Sequence, residues 1–122
     1  MDTTPNENSV HLMTSALHEK ACEILRLSAL ISELGLAHAF VDMSGHVLRF
    51  TARTLPADTQ YNSSHGYTYL KKVDISLEFE DVYPDNPAKI YHRRLARMSE
   101  YADWLKQVLA EGKVLKTEEH AA

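Results

Sequence analysis

An α+β domain of element order α-β-β-β-α is predicted by three features of this sequence. Long stretches of helical apolar periodicity lie near both ends, residues 72–80 alternate strictly between apolar and polar, and two β-rich runs around a turn precede them. The economical assembly of these parts is a three-stranded antiparallel sheet with two long helices packed on one face.

The first helix is predicted over residues 10–34. Its apolar side chains fall in heptad register, with Val10, Leu17, Ile24 and Ile31 in one row and Met13, Leu27 and Leu34 in the other, interrupted by Lys20. Leu12, Leu25 and Leu30 lie off that seam and broaden the apolar surface. The seam therefore reads as core, with a homodimer interface as the alternative. Gly35 stands where a helix C-cap is expected, and Thr14-Ser15 offers a second N-cap.

Residues 37–53 predict a hairpin turning at Asp42-Met43-Ser44-Gly45, with Asp opening and Gly closing a type I turn. In its second run Leu48, Phe50 and Ala52 point one way, and Val47, Arg49, Thr51 and Arg53 the other. The third strand puts Val73, Ile75, Leu77 and Phe79 on a buried face and Lys72, Asp74, Ser76, Glu78 and Glu80 on a solvated one. The connection over residues 54–68 is long, polar and turn-rich, a length that usually signals a functional loop or disorder. The last helix is predicted over residues 88–111. Asp85-Asn86 precedes it, Pro87 takes the first helical position and Gly112 stops it. Residues 1–9 and 114–122 read as disordered tails around a single domain of residues 10–113.

A net charge of −4 argues against a generic polyanion binder. The one cysteine, Cys22, allows no internal disulfide, which fits a reducing compartment. Met1 to Ser9 has neither the basic nor the apolar region of a signal peptide, and no apolar run approaches a membrane span. These features predict a cytoplasmic protein with no membrane association.

Four constellations bear on function. The start of the last helix carries Lys89, Arg93, Arg94 and Arg97 and no acid over residues 88–97. A helix N-terminus already carries about half a positive charge, so cations there need an offsetting anion. That anion is either external, a nucleic-acid phosphate or an acidic partner, or internal, from the acids between Asp74 and Asp85 or from Glu100. Tyr61, Tyr67 and Tyr69 sit among Asn62, Ser63, Ser64 and Gly66, the composition of a protein-binding loop; the alternative is a loop whose tyrosines fold back onto the sheet. His18 and Cys22, with His11 a heptad earlier, have ligand spacing but lack the further ligands a structural metal needs, so no metal is predicted and Cys22 is expected as a small buried hydrophobe. Asp42, Ser44 and His46 share a turn but make poor triad geometry. With glycines scattered and no phosphate loop, neither an enzyme nor a cofactor is predicted.

The α-β-β-β-α order, with Lys89, Arg93 and Arg94 near the start of the last helix, is similar to that of double-stranded-RNA-binding domains. Here the loop between the second and third strands is far longer and lacks basic character, so the likeness is one of element order.

The expectation is a small non-enzymatic cytoplasmic binding or regulatory protein acting by protein–protein contact through Tyr61, Tyr67, Tyr69, the acidic strand face and the basic helix start. Accessory proteins of phages and mobile elements, inhibitors among them, are often chains of this kind. The alternative expectation is nucleic-acid binding through Lys89, Arg93, Arg94 and Arg97.

Overall fold

The computed structural model describes residues 7–45, 48–61, 66–79 and 86–117. Its elements are α1 (Glu7–Glu33), β1 (Ala37–Ser44), β2 (Arg49–Pro56), β3 (Lys71–Ser76) and α2 (Pro87–Glu111). This is the α+β order expected: an antiparallel three-stranded sheet, β1-β2-β3, with α1 and α2 packed on each other, α1 over β1 and α2 over β3.

Both helix ends follow from capping chemistry. Gly35 adopts φ +71° after α1. This lets its N–H reach the Ser32 carbonyl at 3.1 Å and the Leu36 N–H reach the Ile31 carbonyl at 3.1 Å. Leu36 and Ile31 are both buried beside that closure, which ties the helix end into the core. At the start of α2 the Asn86 side chain accepts from the Ala88 N–H at 2.8 Å, and Pro87 fills a position that needs no donor.

Helix α1 begins three residues before the expected residue 10, and the remainder of the expected N-terminal tail lies outside the described residues. The heptad seam is spent on the core. Leu17, Ile24 and Ile31 are fully buried against Met98, Tyr101, Ala102 and Leu105 of α2 and the inner face of the sheet. Lys20, the polar break in the seam, pairs with Glu23 at 3.4 Å, and Glu23 also meets Lys106 of α2 at 3.1 Å. The Lys106 ammonium in the first place, and Lys20 with it, hold the Glu23 carboxyl below its ordinary range.

Three expectations are corrected. The hairpin turn lies later than Asp42-Met43-Ser44-Gly45, because β1 runs on to Ser44, opposite Arg49. A 2.7 Å ion pair from Asp42 to Arg53 stitches that stretch into the ladder, and Leu48, just before β2, takes φ +47°. Cys22 is exposed rather than buried, since it lies on α1 away from the seam. Residues 114–117 are not a tail. Leu115 is buried, its N–H donates to the Leu36 carbonyl, and its carbonyl accepts from the Ala57 N–H, both at 2.8 Å.

Candidate binding face

The inner face of the sheet is core, which leaves the outer face open to other molecules. Alternation turns His38, Phe40 and Asp42 of β1, Arg49, Thr51, Arg53 and Leu55 of β2, and Lys72 and Asp74 of β3 outward. Leu55 breaks the pattern: an aliphatic residue on the solvated face, yet only 1% exposed. The tyrosine loop folds back over it.

Tyr61 is held from several sides. Its hydroxyl lies 2.5 Å from His38 Nδ1, its ring stacks on that imidazole at 5.5 Å, and Phe40 meets it edge-on at 6.0 Å. The Tyr67 ring tilts against it at 5.5 Å, and the Tyr67 hydroxyl donates to the Tyr61 carbonyl at 2.6 Å. Burial, and after it the neighbouring Tyr67 phenol, push the Tyr61 phenol above its ordinary value. Tyr69 receives the Lys72 ammonium over its ring at 5.2 Å, and the Arg53 guanidinium lies 4.9 Å from the centre of the Phe40 ring. Phe40, Arg53, Tyr61, Tyr67, Tyr69 and Lys72 border an open hollow of about 430 Å³ with Leu55 among its lining residues.

The three tyrosines singled out in the sequence therefore come together, each still more than 40% exposed. Sequence reasoning missed Phe40, Leu55, Arg53, Lys72 and His38 as their companions. The available signal was Leu55, an apolar residue at an outward position beside the long loop. Residues 62–65, His65 among them, lie outside the described residues.

The basic stripe divides. Arg94 is half-buried; it donates to the Glu78 carbonyl at 2.5 Å and covers the Phe79 ring at 5.1 Å, and burial pushes its guanidinium below its ordinary value. Lys89, Arg93 and Arg97 are exposed, and none has a carboxylate partner among the described residues. Two acids in their vicinity are committed elsewhere. Asp74 takes a two-pronged bond from Arg49, at 2.8 and 3.0 Å, and Glu100 pairs with Lys71 at 3.2 Å. Asp74, one of the strand acids expected to offer a negative docking face, is thus neutralised within the sheet. Glu80, Asp81 and Asp85 lie outside the described residues.

Asp42, the acid of the Asp42-Ser44-His46 group, is bound by Arg53, and His46 lies outside the described residues. Among the described residues no three His, Cys, Asp or Glu side chains gather as a metal site, and no helix is long and apolar enough to cross a membrane. Family models, curated proteins and solved structures give no match to this chain.

Proposed function

We propose that this protein is a non-enzymatic binding or regulatory protein that grips a partner protein at the aromatic hollow. The observation that carries this reading is Tyr61, 44% exposed yet fixed by His38, Phe40 and Tyr67. Exposed aromatic rings ordered before binding lose little entropy on contact, and tyrosines beside an arginine are the usual composition of interface hot spots. The hollow takes an apolar or aromatic side chain of the partner, while Lys72 at its rim favours a flanking acid. A reducing, cytoplasmic setting suits the exposed Cys22. A homodimer through α1 would use Leu12, Leu25, Leu30 and Leu34, the leucines near that helix that the core leaves outside; light scattering tests it.

Pull-down from native cells should recover a stoichiometric protein partner, and Tyr61→Ala with Tyr67→Ala should abolish its recovery. Recovery of nucleic acid alone sinks the reading.

The second reading is nucleic-acid binding, favoured by the absence of described carboxylate partners at Lys89, Arg93 and Arg97. Its affinity would fall steeply with salt, and each phosphate-contacting arginine removed would lower the salt slope by about one. A flat salt response rejects it.

A further inference from the structure

Strand β3 is an edge: the order β1-β2-β3 leaves its far side without a strand neighbour among the described residues. The Leu77 N–H donates to the Leu48 carbonyl at 2.8 Å. By the alternation of an antiparallel ladder, Ile75 and Val73 then turn their backbone groups to β2 as well, while Lys72, Asp74 and Ser76 turn theirs outward. A row of outward amides and carbonyls is a template for another strand.

Helix α2 runs antiparallel beside that edge. Lys71 reaches Glu100 near one end of the strand, and Arg94 reaches the Glu78 carbonyl beyond the other. Between them lies a groove of about 220 Å³, with Asp74, Ile75 and Ser76 on one wall and Ile90, Arg93 and Arg97 on the other. The Asp74 carboxylate is tied to Arg49, so it does not answer the arginines across the groove. Arg93 and Arg97 are one turn apart, about 6 Å along the helix. Alternate residues of an extended strand are spaced about 6.8 Å. Carboxylates at every second position of an added strand would therefore step nearly in time with the two guanidinium groups.

We propose that the edge of β3 and the Arg93–Arg97 side of α2 form a groove for an extended acidic peptide, which adds as a fourth strand with Asp or Glu at alternate positions facing α2. Main-chain pairing holds the peptide, and the arginines select its charge pattern. A peptide suits the groove better than a nucleic acid. A sugar-phosphate backbone has no alternating amides to pair with the strand. This groove shares no lining residue with the aromatic hollow, so either surface can fail without the other.

Fluorescence anisotropy of the full chain with a labelled peptide of alternating Glu and Thr tests the proposal. Binding is expected at low salt, weakened about tenfold or more by Arg93→Glu with Arg97→Glu, lost when alternate peptide amides are N-methylated, and unchanged by Tyr61→Ala. Circular dichroism confirms that the exposed arginine variants fold. Absence of binding, equal binding of the N-methylated peptide, indifference to the arginine changes, or preferential binding of an oligonucleotide would each overturn it.

Discussion

The Tyr101 hydroxyl and Thr54 Oγ1 lie 2.7 Å apart, and neither residue is more than 1% exposed. This hydrogen bond fastens α2 to the central strand inside the core. Thr54→Val strands the phenol without a partner and is expected to cost about 1–3 kcal/mol; Tyr101→Phe strands the threonine at similar cost. The double variant should cost less than the two together, because no polar group is then left unpaired. Urea unfolding of the four proteins measures the coupling, and strict additivity would show that the bond contributes nothing.

The same pair bears on stability at alkaline pH. Burial pushes the Tyr101 phenol up to about 12, against an ordinary value of 10.0, with the Thr54 bond acting in the opposite sense. Because the folded value is the higher one, folding favours the neutral phenol. That contribution is complete below about pH 10, the range of an unfolded tyrosine, and is lost as pH rises toward the folded value. Tyr61 is raised as well and adds in the same direction. Melting temperature should therefore fall across this alkaline window. Tyr101→Phe should flatten the fall; an unchanged slope in that variant would assign it to other groups.

The sequence reveals the architecture because each element carries its own signal: heptad spacing through Leu17, Ile24 and Ile31, period-two spacing through Val73, Ile75 and Leu77, and Gly35, Asn86, Pro87 and Gly112 at helix ends. Long-range pairing is what local signals do not encode. The Asp42–Arg53 bridge depends on register between two strands, and it moves the turn that Asp42 and Gly45 suggest. The aromatic site shows the same division. Tyr61, Tyr67 and Tyr69 stand out by composition, but their placement over Leu55 and against His38 and Phe40 depends on where a long loop lands.

The basic stripe also divides in three dimensions, and stability tests the division. Arg94 donates to a backbone carbonyl and lies over Phe79. Arg94→Ala should therefore destabilise the fold by about 1–2 kcal/mol. Arg93→Ala and Arg97→Ala remove exposed groups and should stay within about 0.5 kcal/mol of the parent. Chemical denaturation of the three variants separates the cases; equal losses at all three would mean that Arg93 and Arg97 also brace the fold.

Leu115 closes the end of the sheet that the sequence leaves open. Its backbone bridges Leu36 and Ala57, and just beyond it Thr117 donates to the Asp58 carboxylate through its N–H at 2.9 Å and its hydroxyl at 2.8 Å. Those two bonds hold the Asp58 carboxyl below its ordinary value. A lone Val114-Leu115 pair between Lys113 and Lys116 carries no periodic signal, so only the tertiary fold identifies Leu115 as core. Leu115→Ala should cost about 2–4 kcal/mol, since the cavity lies between α1's closing turn and β2. Leu115→Met, nearly equal in volume, should cost less than about 1.5 kcal/mol. If this segment were a tail in solution, both variants would unfold at the parent's denaturant midpoint, and the Leu115 amide would exchange hydrogen as fast as a free peptide.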